Sequence, residues 1–252
     1  MTNDKRRSAL VTGASQGLGA AIALRLARDG FDVAVTELDQ SALGETVSRI
    51  EATGRRAVAI ELDLRSQVSI AGAIARAARA FGALDVLVNN AGVTLRRDAI
   101  EVTPEEWDAV LDVNLKGTFF MCQQMAKHLV ERGRSGRIVN LASTHGVAAL
   151  AKRSTYGISK GGVIHLTRVL AFEWAKLGIS VNAVAPGTIE TPSRAAYFVE
   201  NPDVREAMLA RVPAGRFATA DELAGAVSYL AGGDASFVTG QTLLLDGGLT
   251  TY

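Results

Sequence analysis

Tyr156 and Lys160 stand four residues apart in Ser-Thr-Tyr-Gly-Ile-Ser-Lys. On a helix, positions i and i+4 lie on one face, a turn apart. A phenol beside an ammonium is a tuned acid. The free phenol ionises near pH ~10, and a cation within about 4–6 Å favours its charged form. That moves a tyrosine toward the pH at which it exchanges a proton with an alcohol or carbonyl. The spacing alone more often marks a surface tyrosine beside an unrelated lysine, so the rest of the chain decides.

A second chemical feature lies upstream, in Thr12-Gly13-Ala14-Ser15-Gln16-Gly17-Leu18-Gly19. An apolar run, 9–12, precedes it and a helical pattern, 18–29, follows. Glycines there permit a tight turn and let backbone N–H groups approach a pyrophosphate at the helix N-terminus. The spacing is Gly-x-x-x-Gly-x-Gly, which differs from the Gly-x-Gly-x-x-Gly dinucleotide fingerprint.

The elements that must position these groups alternate regularly. Strand candidates fall at 9–12, 33–37, 57–61, 86–89, 137–141, 180–185 and 242–245. They are continuously apolar, as strands covered on both faces should be. Helical patterns lie between them at 18–29, 40–53, 68–81, 104–132, 156–177 and 220–231. This β-α-β rhythm predicts an α/β fold: one Rossmann-type, doubly wound parallel sheet of about seven strands with helices on both faces. Thr103-Pro104-Glu105-Glu106 reads as a helix start, and Gly30, Gly54, Gly82 and Gly178 as helix stops. The chain reads as a single domain over 1–252, broken only by an insertion at 188–216 with a short helix near 202–211. Long insertions of this kind often shape a binding site.

The motifs occur in a fixed order: the glycine turn, Asn89-Asn90-Ala91-Gly92, Ser143, Tyr156-x-x-x-Lys160 and Pro186-Gly187. In this order and spacing the chain resembles the short-chain dehydrogenase/reductase family over essentially its whole length. The resemblance implies a nicotinamide-dependent hydride transfer with Tyr156 as general acid/base. Lys160 would lower the tyrosine pKa and hold the nicotinamide ribose. Ser143 would hold the substrate oxygen, with the adjacent Thr144 as its rival. Asn114, in Asp-Val-Asn-Leu, would hold a water that links Lys160 to solvent. The cofactor contacts implied are Gly13, Ser15, Gln16, Gly17, Leu18, Gly19, Glu37, Asp63, Leu64, Asn90, Ala91, Gly92, Tyr156, Lys160, Pro186, Gly187, Thr188, Ile189 and Thr191. Asp63 would meet the adenine amino group and Thr191 the nicotinamide amide. The family buries the 104–132 and 156–177 helices against their copies, which implies a homotetramer.

Glu37 ends the second strand candidate. A carboxylate there accepts from both ribose hydroxyls of the adenosine half and repels a 2′-phosphate. Gln16 and Leu38 stand where NADP-binding relatives place a basic residue, and Asp39 adds negative charge. NAD is therefore the expected cofactor.

The substrate is less legible. Ser143 and Tyr156 would contact it, and His145 and Arg153 are candidate pocket residues; Lys152, Arg96 and Arg97 are further candidates to meet an acidic or polar substrate. The expected reaction interconverts a secondary alcohol and a ketone, on a sugar, polyol or hydroxy acid. The alternatives are an NADPH-dependent 3-oxoacyl-[acyl-carrier-protein] reductase and, with least support, a dinucleotide sensor that has no need of a tuned phenol.

Bulk composition excludes other classes. The net charge of +1 gives no field for nucleic acid or anionic lipid. No spacing suits a metal site. No apolar run approaches a membrane span of about 20 residues. The N-terminal residues are charged, and the apolar stretch 9–11 is too short for a signal peptide. Cys122 is the sole cysteine, so no internal disulfide can form. The expectation is a cytoplasmic enzyme acting on a small molecule.

Overall fold

A computed structural model describes residues 7–251; the charged N-terminal residues 1–6 lie outside the described residues. In chain order the elements are β1 (Arg7–Thr12), α1 (Gly17–Arg28), β2 (Phe31–Glu37), α2 (Gly44–Glu51), β3 (Ala57–Glu61), α3 (Gln67–Phe81) and β4 (Val86–Asn89). There follow α4 (Pro104–Leu111), α5 (Thr118–Glu131), β5 (Gly136–Leu141), α6 (Ser154–Trp174), β6 (Ile179–Pro186), β7 (Ile189–Glu190), α7 (Pro192–Glu200) and α8 (Pro202–Leu209). The chain closes with β8 (Ala218–Thr219), α9 (Ala220–Ala231) and β9 (Thr242–Leu245).

Seven of the strands form one parallel sheet in the order β3-β2-β1-β4-β5-β6-β9. Every pairing within it is parallel, so each connection crosses a face, and helices cover both. Alternation along β1 shows the two layers. Ala9 and Val11 face a core shared with Ile22 and Leu26 of α1 and Leu223 and Val227 of α9. Leu10 faces the other core, with Ile70 of α3, Met121 and Met125 of α5 and Leu170 of α6. After β3 the chain crosses back to the other side of β1 to form β4, so the winding reverses between β1 and β4 and leaves a crevice at the carboxyl ends of the strands. Val11 pairs with Val35 on one side and Val88 on the other. The glycine turn, Glu37 and the Asn89–Gly92 segment therefore emerge side by side.

The helix signals behave as their chemistry requires. Thr103 and Glu106 form a reciprocal capping box at the start of α4, with Pro104 in the first turn. Gly82 ends α3 at φ 83°, a conformation that costs glycine little.

Three elements differ from expectation. The helix expected over 104–132 is interrupted by a π-helical turn, Asp112–Gly117, between α4 and α5. The helix expected over 40–53 begins as a 3-10 turn, Gln40–Leu43. The 188–216 segment holds two helices and contributes β7 to a small two-stranded sheet with β8, rather than one short helix alone. In addition, β3 and β9 are edge strands and are not covered like the inner five: Leu243 and Leu244 of β9 are 40% and 42% exposed.

Candidate active site

The glycine turn is shaped by close packing. A Cβ on Gly13 (φ +65°) would come within 2.8 Å of Ala91 Cα, and one on Gly19 within 2.1 Å of the Gly13 carbonyl. Only glycine fits at either position. Gly17 (φ +59°) has nothing within 4 Å of its Cβ position. Gln16 precedes α1 without a side-chain cap, and no acidic residue stands in the first helical turn. An uncapped helix start beside an open glycine suits a pyrophosphate. Leu18 is partly buried against the core beneath this turn. Ser15 Oγ donates to Glu37 Oε2 at 2.8 Å, and Leu38 N–H donates to Oε1 at 3.1 Å. These bonds hold the carboxylate over the rim of the turn, where an adenosine ribose would lie.

Other expected cofactor residues divide into groups that face the crevice and groups that build it. Asn90 is a brace: its Nδ2 donates to the Thr12 and Gly13 carbonyls, both at 2.9 Å. The Asn90 and Ala91 amides each donate to Thr12 Oγ1 at 3.0 Å. Leu64 and Ile189 are buried in the core at 7% and 6% exposure, so only their backbones can meet a ligand. Asp63 faces Arg65, which donates to both carboxylate oxygens at 2.9–3.0 Å; these bonds hold its carboxyl below the usual range. Pro186 ends β6, and the Gly187 amide donates to the Leu245 carbonyl at 3.0 Å. The Thr188 carbonyl accepts from the Ala218 amide at 3.2 Å. Thr191 caps α7, its Oγ1 accepting from the Arg194 amide at 3.3 Å.

Ser143, Tyr156, Lys160 and Asn114 converge beyond the ends of β4 and β5. Ser143 follows β5 in extended backbone and caps a 3-10 turn, Thr144–Gly146. Thr144 Oγ1 donates to the Pro186 carbonyl at 3.3 Å, which commits it to holding β6. Ser143 instead is hydrogen-bonded to the Tyr156 side chain. Lys160 is 5% exposed, and its Nζ donates to the Leu141 carbonyl at 2.6 Å. A Cβ on Gly92 would lie 3.1 Å from Asn114 Oδ1 and 3.6 Å from Lys160 Nζ, so the two side chains meet over that glycine.

Asn114 owes its position to the π-helical turn, a distortion that recurs at functional sites. It is fully buried. Its Oδ1 accepts from the Val93 amide at 2.8 Å, and its Nδ2 donates to the Val93 carbonyl at 2.9 Å and to Ser159 Oγ at 3.1 Å. Ser159 in turn donates to the Tyr156 carbonyl at 2.7 Å.

Burial pushes the Tyr156 phenol above its ordinary value, opposed by the Ser143 hydrogen bond and the charges of Arg153 and Arg194. Lys160 Nζ stands 5.8 Å from the ring centroid. Lys160 itself is pushed down to about 8 by burial. The buried pair therefore gives up its first proton near neutrality from the lysine side.

His145 is drawn in fully. Its Nδ1 lies 3.1 Å from Ser143 Oγ, and its ring meets that of Tyr156 edge-on at 5.8 Å. Burial first, then Arg153, Arg194 and Arg211, hold the imidazole below its ordinary pKa, so it is neutral near pH 7. Arg153 is half-buried at the start of α6 and donates to Thr94 Oγ1 and the Leu95 carbonyl. Lys152 and Arg97 do not face a substrate; they pair with Asp98 at 3.0 Å and Glu106 at 2.6 Å. The residues that sequence reasoning missed are Ser159, Gly146 and Gly157. A Cβ on Gly146 would meet the Lys160 backbone at 2.6 Å, and one on Gly157 the His145 carbonyl at 2.9 Å. Ser159 had a signal, since it lies three residues after Tyr156 and so on its face of the helix.

Such a site can move a proton to or from a substrate oxygen beside a dinucleotide crevice. The sequence model described as "Enoyl-(Acyl carrier protein) reductase" matches residues 13–250. The chain is 39% identical over 249 residues to 3beta-hydroxysteroid dehydrogenase 1 of Eggerthella lenta, covering 98% of this chain and 95% of that one. It is 39% identical over 240 residues to 2-dehydro-3-deoxy-D-gluconate 5-dehydrogenase of Escherichia coli, covering 95% and 94%. A solved chain from Agrobacterium tumefaciens, assigned as a 2-deoxy-d-gluconate 3-dehydrogenase and holding NADP, superimposes with a TM-score of 0.90 at 39% identity over the whole of both chains. The chain belongs to the short-chain dehydrogenase/reductase family, whose members are oxidoreductases that bind a nicotinamide dinucleotide.

Proposed function

We propose that this enzyme interconverts a secondary alcohol and a ketone on a small substrate, a sugar, polyol or hydroxy acid, with NAD as its cofactor. The convergence of Ser143, Tyr156, Lys160 and Asn114 at the crevice mouth carries this reading. Tyr156 takes the alcohol proton in oxidation and returns it in reduction. Ser143 holds the substrate oxygen and stabilises the charge that grows there. Lys160 exchanges the proton with the tyrosine, and Asn114 would hold a water that links Lys160 to solvent. The glycine turn, Glu37 and the Pro186–Thr191 segment would hold the cofactor, which when bound accepts or supplies the hydride. A dinucleotide sensor has no use for a buried phenol and lysine so arranged.

The preference for NAD rests on Glu37, whose carboxylate is fixed by Ser15 and Leu38 at the rim of the turn. The second reading is an NADPH-dependent 3-oxoacyl-[acyl-carrier-protein] reductase. A 41% identity over 244 residues to the 3-oxoacyl-[acyl-carrier-protein] reductase FabG of Staphylococcus aureus favours it, and the NADP held by the Agrobacterium relative favours its cofactor. Steady-state kinetics with both cofactors on a panel of alcohols, ketones and acyl thioesters separate the two.

We also propose a cytoplasmic homotetramer. No helix among the described residues is long and apolar enough to cross a membrane, and the lone Cys122 is buried. A groove of about 560 Å³ between α5 and α6 is lined by Phe119, Val130, Leu166, Val169, Trp174 and Leu177, with Phe172 beside it 89% exposed. Leu243 and Leu244 on edge strand β9 and the fully exposed Phe237 offer a second face. Apolar patches of this kind mark interfaces. His128, buried and bonded to the Leu84 amide, belongs to the core instead.

A further inference from the structure

The charges around the catalytic tyrosine are unevenly matched. Two loops meet at the site entrance, the one after β4 and the one before α6, and the Arg97 amide joins them by donating to the Lys152 carbonyl at 3.1 Å. Lys152 adopts φ 62°, strained for a residue with a side chain. The two loops carry four cations. Arg97 is matched by Glu106 and Lys152 by Asp98. Arg96 and Arg153 meet no carboxylate among the described residues, and Arg153 is half-buried with only Thr94 Oγ1 and the Leu95 carbonyl as acceptors. On α7, Arg194 is exposed; its guanidinium lies 6.0 Å from the Phe198 ring and also meets no carboxylate among the described residues. Besides burial, the charges that bear on His145 are those of Arg153, Arg194 and Arg211. Those that bear on Arg153 are Arg96 and Arg194, with Tyr156 and Tyr197 alone opposing them.

We propose that Arg153 and Arg194 form a subsite for a carboxylate on the substrate, so that the alcohol handled by Tyr156 is a hydroxy acid. The proposal rests on the reading of Tyr156 as the proton-transfer residue. A guanidinium presents a rigid fork that matches a carboxylate through two parallel hydrogen bonds. A half-buried cation without a counterion is poorly compensated until an anion arrives. A neutral alcohol leaves that cation as it was, so the site discriminates against it. One arginine at the N-cap of α6, three residues before Tyr156, and another on α7 within the 188–216 insertion bring charge to bear on Tyr156 from two elements.

The test uses linear hydroxy acids of graded length, each beside its methyl ester, with NAD and with NADP. Malonate is titrated calorimetrically as an unreactive probe. The acids should exceed their esters in kcat/KM by about ten- to hundredfold, the range of a charge-assisted hydrogen bond. That ratio should collapse in Arg153→Met and in Arg194→Met and recover in part in Arg153→Lys. Malonate should bind the wild type and weaken in both methionine variants. Esters turned over as efficiently as acids, or malonate binding that ignores both substitutions, would overturn the subsite and leave the alcohol-oxidation reading standing. If no alcohol is turned over, that reading fails, and malonate binding alone decides the subsite: weakened in both variants it stands, absent or unchanged it falls.

Discussion

The Lys160 ammonium donates to the Leu141 carbonyl at 2.6 Å, which ties the lysine one helical turn from Tyr156 to the last residue of β5. The lysine is buried and gives up its proton near about 8 rather than 10.5. Tyr156 lies above its ordinary value because burial outweighs the Ser143 bond and the two arginine charges. Strongly interacting groups lose protons as a unit. Once the pair has lost one proton, it can exist as phenol with amine or as phenolate with ammonium. The second form is the base that alcohol oxidation needs.

The kcat/KM for alcohol oxidation should therefore fall below an apparent pKa near about 8, with ketone reduction showing the opposite limb. Lys160→Met should move the limb to higher pH and weaken cofactor binding. The same burial has a stability consequence of definite sign. The unfolded chain keeps this proton up to about 10.5 while the folded one releases it near about 8, so the lysine's contribution makes the fold more stable as pH rises across that window. A flat rate profile from pH ~7 to ~9 would count against the coupled pair.

Cofactor selectivity should follow Glu37. NAD should be preferred over NADP by at least about 100-fold in kcat/KM, or ~2.7 kcal/mol at ~1.36 per decade. Glu37→Ala should narrow that ratio, since it removes the carboxylate that Ser15 and Leu38 hold in place. Equal or better efficiency with NADP in the wild type would move the oxoacyl reductase reading to first place.

Assembly is open to a direct measurement. Sedimentation at micromolar concentration should show a tetramer, and Phe172→Glu on the exposed face of α6 should yield smaller species. A wild-type monomer would contradict the two-face account.

At the far end of the sheet, Asp32 is 1% exposed and is held by Arg56 at 2.7 Å and Arg55 at 3.1 Å. Burial raises its pKa, but the Arg56 hydrogen bonds and both charges outweigh that and leave it low. A depressed carboxylate contributes stability that is present above its ordinary pKa and lost as pH falls through the folded value. Asp32→Ala leaves two cations without their partner and should cost about 3 kcal/mol in urea unfolding. The kcat should be unchanged, because the residue lies at the opposite end of β2 from Glu37.

The sheet was legible because its inner strands are unbroken apolar runs, and all seven strands fall where those runs do. The glycine turn and the Tyr156–Lys160 pair were legible because their spacing is local. The π-helical turn at Asn114 was not: apolar periodicity runs on through 104–132, and the turn ends at Gly117, which packs closely against Leu64. Strands β7 and β8 escaped because two-residue strands are specified by pairing across the fold rather than by composition. Spacing showed that Lys160 could reach Tyr156 but not how deeply both would be buried, and burial sets both ionisations. Nor could it show that Arg97 and Lys152 would be matched by Glu106 and Asp98 while Arg153 meets no carboxylate among the described residues, since those pairings depend on two loops meeting.

The central claim is that Tyr156 transfers the proton. The most direct test is turnover of Tyr156→Phe with cofactor binding measured separately by calorimetry. The loss of one hydroxyl should leave binding intact and reduce turnover by about 10²–10⁴-fold, the usual contribution of a general acid–base group. Turnover above about a tenth of the wild type, with binding intact, would contradict the assignment.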